Sequence, residues 1–271
     1  MVDYISMRKR RNNLSRLFHI FLNLSFAVVS TLVTAISGSV FFGLVLVLVA
    51  KWRVFAVRPR YWWPGLKANA VDIIVSFSVI YLTYSSCATS SINIAINPFF
   101  YILTIFYILW LLVIKPKTSE KASEWQAFLA IFLGSYATAL ATSSEFFGVT
   151  LFSLSAFIIG YCSLRHIIIQ AEHDDSTLIM ASMGLILAEL AWVMIHWMRV
   201  YTISLSFLPS FRLPQFSLAA TLISFYFIRG YKSYLRHDNK ICADDIVMPA
   251  IFTVVIILIM IIFFSNLAFT H

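Results

Sequence analysis

Apolar runs long enough to cross a bilayer recur along almost the whole chain, separated by short polar gaps. A helical crossing needs about 20 apolar residues at a rise of about 1.5 Å each. Runs of that kind lie at about 17–36, 39–57, 69–88, 98–114, 125–142, 146–164, 177–198, 216–231 and 246–268. The pattern predicts an all-α fold, a polytopic transmembrane helix bundle of about nine spans. The first two runs form one apolar block from Leu17 to Ala50 with basic flanks on both sides. Those flanks favour two crossings joined at Ser37-Gly38-Ser39, with a re-entrant hairpin as the alternative. The longest polar gaps are about fifteen residues, too short for a folded domain outside the membrane, so residues 1–271 are expected to form a single integral membrane domain.

Charge orients the bundle. Of 20 Lys and Arg residues, 18 fall in alternate gaps: five at 8–16, five at 51–67, three at 115–121, Arg165, and four at 229–240. Only Arg199 and Arg212 lie on the other side. Basic residues mark the cytoplasmic face, which predicts a cytoplasmic N-terminus, a C-terminus outside, and residence in the cell membrane as a multi-pass protein. A cleaved signal peptide ending near Ala35-Ile36-Ser37 is the less favoured reading, because its apolar core would be unusually long.

Composition excludes a water-soluble fold: 61% of residues are hydrophobic, 12% are charged, and mean hydropathy is +0.87. A net charge of +8 placed beside apolar spans points to anionic lipid headgroups on the cytoplasmic face and not to nucleic acid. Trp62, Trp63, Trp110, Trp125 and Trp197 fall near expected interfaces. Cys87, Cys162 and Cys242 are odd in number and expected on different sides of the membrane, so they read as free thiols.

Local signals place helix ends and packing faces. Asp174-Asp175-Ser176, Asp244-Asp245 and Ser123-Glu124 precede spans where carboxylates oppose the positive end of the helix dipole. Pro98 opens the fourth span. Ala130, Gly134, Thr138 and Thr142 form a small-residue strip, and Ala181, Gly184, Ala188 and Ala191 another. Asn23, Ser30, Thr34 and Ser37 run along one face of the first span, with Ser76, Thr83 and Tyr84 in the third. They either line a hydrated cavity or hydrogen-bond between helices.

The leading candidate for chemistry is Glu189, near the centre of the 177–198 span. A charged side chain there costs roughly 3 kcal/mol on insertion scales. Trp192, His196 and Arg199 share its side of the helix, which is expected to face protein. Glu189 would bind a proton or cation and His196 would pass protons outward. The alternative is a protonated Glu hydrogen-bonded to a neighbouring helix. Asp72, one turn inside the third span, is a second ion or substrate candidate, although dipole stabilisation or pairing with Lys67 also explains it. Lys51, Arg53, Arg58, Arg60 and Lys67, mixed with Trp52, Phe55, Tyr61, Trp62 and Trp63, suit contact with anionic lipid in the headgroup layer.

Within that segment KWRVFAVRP resembles the first of three motifs of the type 2 phosphatidic acid phosphatases, a Lys with six residues before Arg-Pro. The resemblance covers nine residues. The Pro-Ser-Gly-His motif and the motif carrying the histidine nucleophile are absent, so that chemistry has no nucleophile here. Glu172, His173, Asp174 and Asp175 with His237, Asp238, Asp244 and Asp245 form an acidic cytosolic group that helix capping largely explains. No metal, cofactor or complete catalytic motif is assigned. The sequence therefore favours a transporter-like protein for a small solute or ion. A non-catalytic membrane subunit or scaffold, working with a membrane partner or as a homo-oligomer, is the next reading, and a lipid-handling enzyme the third.

Overall fold

The structure is a computed structural model that describes residues 2–56, 58–89, 97–143, 148–170, 177–196, 200–205, 208–237, 240 and 242–264. Helix α1 runs over Val2–Ser37 and stops at Gly38, whose φ of 59° suits a residue without a Cβ. Ser39 then caps α2 (Val40–Ala50), its hydroxyl accepting the Phe41 N–H at 3.3 Å. The expected turn at Ser37-Gly38-Ser39 is present.

The expected second span at 39–57 is not one long helix. Eleven residues of α2 rise only about 16 Å, short of a hydrocarbon core of about 30 Å. The chain breaks at Lys51 and continues as α3 (Trp52–Phe55), a 3-10 turn (Pro59–Tyr61) and α4 (Trp62–Ala68). Pro59 drives Arg58 to an extended ψ of 142°, so no helix passes through that point.

Then follow α5 (Ala70–Thr89), α6 (Pro98–Leu109) with a π turn over Trp110–Ile114, α7 (Glu120–Ser143), α8 (Val149–Gln170) and α9 (Thr177–Met194). An antiparallel ribbon of β1 (Val200–Leu205) and β2 (Leu208–Pro214) leads into α10 (Gln215–Arg236) and α11 (Ala243–Phe264). The ribbon is the exception in a structure that is 88% helical. Alternation in Val200-Tyr201-Thr202-Ile203 is its sequence signature, read against the Pro214-Leu213-Arg212 register.

Among the described residues, five segments are long and apolar enough to cross a membrane: Leu17–Ser37, Ala70–Ala88, Glu120–Ser143, Val149–Ile169 and Thr177–Met194. Val40–Ala50 and Pro98–Ile114 are apolar but shorter.

The chain forms two compact units, Met1–Trp62 with Val79–Thr118 and Trp63–Ser78 with Ser119–His271, so α5 contributes to both. In the first unit part of the polar face of α1 turns inward, while Asn23 and Ser37, expected on the same face, are exposed. Ser30, Thr31 and Thr34 are buried and donate to carbonyls three or four residues back. Thr104 Oγ1 on α6 donates to Thr31 Oγ1 at 3.2 Å. Gly43 of α2 sits so close to Thr34 that any Cβ would collide with the hydroxyl. These polar residues serve helix packing. Trp110, expected at an interface, is instead fully buried, while Trp62, Trp63 and Trp125 are exposed.

The second unit packs α7 to α10 around Ile131, Phe152, Ile159, Met183, Leu187 and Phe216. The small-residue strips act here as expected. A Cβ on Gly160 would lie 2.9 Å from the Met183 carbonyl oxygen and 3.1 Å from Gly184 Cα, so α8 and α9 touch backbone to backbone. Gly134 gives Ile159 and Ile74 similar access to α7. Helix α7 begins at Glu120, ahead of the expected Ser123-Glu124 start, because the Ser119 hydroxyl accepts the Ala122 N–H at 3.3 Å.

Candidate functional site

Helix α10 changes character along its length. Its first half is apolar and buried at Phe216, Ala220 and Leu222; its second half carries Arg229, Lys232 and Arg236 at spacings of three and four. That spacing puts the three cations on one face, in line with Phe225. Helix α7 answers with Glu120 and Glu124, one turn apart near its N-terminus.

Lys232 joins the two helices. Its ammonium donates to Glu120 Oε1 at 2.8 Å and also to Glu124 Oε1. The Lys232 side chain is 11% exposed and Glu124 15%, against 59% for Glu120. Two carboxylates thus neutralise one half-sheltered ammonium, and the Glu120 end is screened by solvent.

Beyond this ion pair α7, α10 and α11 enclose a groove of about 590 Å³. Its inner wall is aromatic. Phe225 lies between Phe128 of α7, with centroids 5.7 Å apart, and Phe252 of α11, at 6.5 Å. Leu222 and Trp125 extend the apolar surface. At the mouth stand Arg229 and Arg236, both exposed, and Lys121. The Arg229 guanidinium lies 5.4 Å from the Phe225 ring centroid, so this side chain spans the polar and apolar zones. With Lys232 satisfied by glutamates, the remaining charge at the mouth is positive. Among the described residues lining the groove there is no serine, cysteine or histidine.

The residues singled out from sequence are distributed differently. Glu189 on α9 is exposed, as are Trp192 and His196, whose rings meet edge to face at 5.7 Å. The buried side of α9 carries Met180, Met183, Gly184, Leu187 and Ala191. The side with Glu189 is therefore turned away from the described residues, contrary to the expectation that it packs on protein, because Gly184 allows the close approach to α8 from the opposite side. No hydrogen bond or ion pair of Glu189 exists among the described residues. Arg199 lies outside them.

Asp72 is buried in the first turn of α5, where the helix dipole favours a carboxylate. In the basic-aromatic segment, Arg60 stacks on Tyr61 at 4.6 Å and Lys67 on Trp63 at 5.0 Å. The Lys67 carbonyl accepts from Arg165 Nη1 at 2.9 Å. Arg58 and Arg60 are exposed, and the side chain of Arg53 is outside the described residues. Lys51, half-buried after the end of α2, is pushed down to about 7 by burial first and then by the charge of Lys115. Of the acidic group, His237 Nδ1 lies 3.6 Å from Asp245 Oδ2. Glu172 to Asp175 and Asp238 lie outside the described residues.

Sequence reading missed the groove because it took Arg229, Lys232 and Arg236 only as markers of topology and Glu124 only as a helix cap. The available signal was their spacing, a cationic stripe continuing an aromatic one. No protein family, curated protein or solved structure matches the chain.

Proposed function

We propose that the protein is a multi-pass integral membrane protein that holds an amphiphile with an anionic headgroup in the groove between α7, α10 and α11. The observation that carries this reading is the polarity gradient along α10, from the Leu222 and Phe225 wall to the Arg229 and Arg236 mouth. A cavity of about 590 Å³ is in the range of small-ligand sites. Acyl chains suit the aromatic wall, and guanidinium groups suit a phosphate through paired N–H donors. In the topology given by the basic residues, this mouth lies at the cytoplasmic surface, where anionic lipids concentrate. The groove supplies recognition groups and no Ser, Cys or His nucleophile among its described residues, so binding or presentation of lipid fits better than its hydrolysis.

A path for a small solute or ion past Glu189 is the second reading, favoured by the mid-helix position of that acid. Within one chain the exposed face of α9 supplies a single wall of such a path.

The test is lipid retention by the purified full chain, read by native mass spectrometry after equilibration with phosphatidic acid or phosphatidylcholine. The anionic lipid should be retained preferentially. The Arg229→Gln/Arg236→Gln double variant should lower that preference about tenfold. Equal retention of both lipids by the unaltered protein would overturn the assignment.

A further inference from the structure

The outer face of α9 has a regular order that packing among the described residues does not use. Leu178, Leu185 and Trp192 recur every seven residues and are 78%, 53% and 58% exposed. Ser182 and Glu189 recur with the same period, four residues after the first two of them, and His196 follows at the same spacing in the turn after Met194. The five positions within α9 thus step by four, three, four and three, the 3.5-residue repeat of a left-handed helix pair. Large apolar residues hold one position of the repeat and polar residues the other. The opposite face, through Gly184, is already taken by α8.

We infer that this face is the interface with a second copy of the chain, α9 packing parallel to α9 about a two-fold axis along the membrane normal. The proposal rests on the membrane reading but not on the lipid groove.

The occupant follows from the chemistry of the polar positions. Lipid tails offer nothing to hydrogen-bond a carboxyl group, so an outward Glu189 calls for a protein surface. A two-fold interface sets each residue of a parallel helix pair opposite its own copy. A carboxylic acid is self-complementary in that arrangement, since each O–H donates to the other group's oxygen and one shared proton suffices for a carboxyl–carboxylate pair. Ser182 against Ser182 and His196 against His196 are also able to donate and accept. Leu178 and Leu185 interlock at the alternate layers, and Trp192 closes the outer end. Polar groups at one position of such a repeat set register and copy number, and here Glu189 does so.

Cysteine cross-linking in native membranes tests the arrangement. Cys87, Cys162 and Cys242 are replaced by Ser, and Leu185→Cys, Ser182→Cys and Ile186→Cys are introduced one at a time into the full chain. A short bifunctional maleimide should join two copies through positions 185 and 182, with at least about fivefold less dimer at 186, which lies off the seam. Subunit counting by single-molecule photobleaching in liposomes gives the second readout. Glu189→Gln should keep the dimer, whereas Glu189→Leu should weaken it by about three- to thirtyfold. Three results overturn the proposal: a single photobleaching step for the unaltered chain, cross-links to other proteins in place of a second copy, or equal cross-linking at 185 and 186. Groove variants Arg229→Gln/Arg236→Gln should leave the dimer unchanged, so failure here and failure of the lipid assignment are separable.

Discussion

Glu124 and Glu189 both sit in apolar helices of the second unit, and their surroundings differ in kind. The Glu124 side chain is 15% exposed and accepts from Lys232 of α10. Glu189 is exposed on α9, on the side opposite the contact with α8. In one case the chain carries its own counter-charge; in the other the acid is presented outward. An acid in an apolar helix is thus not one kind of feature. Its role follows from which helix lies against it, and the packing of α7 on α10 and of α9 on α8 gives the two acids opposite roles.

Removing the counter-charge should produce the largest effect. Lys232→Leu leaves Glu120 and Glu124 facing each other beside a half-buried site, and thermal denaturation in detergent micelles should show a loss of about 3 kcal/mol. Adding Glu124→Leu should recover much of it, because the stranded carboxylate is then gone. A double variant no more stable than Lys232→Leu alone would show that the ion pair does not govern this contact.

The inner face of α9 comes next. Gly160→Ala places a Cβ against the Met183 carbonyl oxygen at 2.9 Å, and backbone is the least yielding neighbour. The expected cost is about 1–3 kcal/mol. Leu185→Ala on the outer face, measured in detergent dilute enough to hold single chains, should cost less than about 0.5 kcal/mol. Equal losses at the two positions would remove the distinction between the faces of α9.

The smallest effect concerns two lysines, Lys51 and Lys232. Lys51, pushed to about 7 by burial and then by Lys115, is about half neutral at pH 7. An ordinary lysine is neutral in less than about one molecule in a thousand at that pH. Competitive acylation at pH 7 should therefore modify Lys51 before Lys232, whose ammonium is held between two glutamates. Lys115→Gln removes a neighbouring positive charge, raises the Lys51 value and slows its modification. Unchanged labelling in Lys115→Gln would show that burial alone sets the Lys51 value.

Much of the local architecture was legible along the chain. The turn at Ser37-Gly38-Ser39, the Pro98 start of α6, and the close helix contact through Gly184 all follow from short-range rules. Lys51 marks the break inside the second apolar run, yet hydropathy averaged over the run hid it. Trp110 shows another boundary of that reading: tryptophan near a span end suggests an interface, but neighbouring side chains cover this one.

By itself the sequence determined what is additive along the chain: apolar run lengths, the gathering of most basic residues in the short segments between those runs, and the caps and breaks of individual helices. Each depends on residues within a few turns of one another, so the linear order carries it. Only the tertiary structure decided which face of each helix is covered. It brought Lys232 of α10 to Glu120 and Glu124, more than a hundred positions away, and left Glu189 outward. Periodicity defines the two faces of a helix equally well, whereas burial is assigned by shape, and on α9 the backbone contact permitted by Gly160 and Gly184 made that choice.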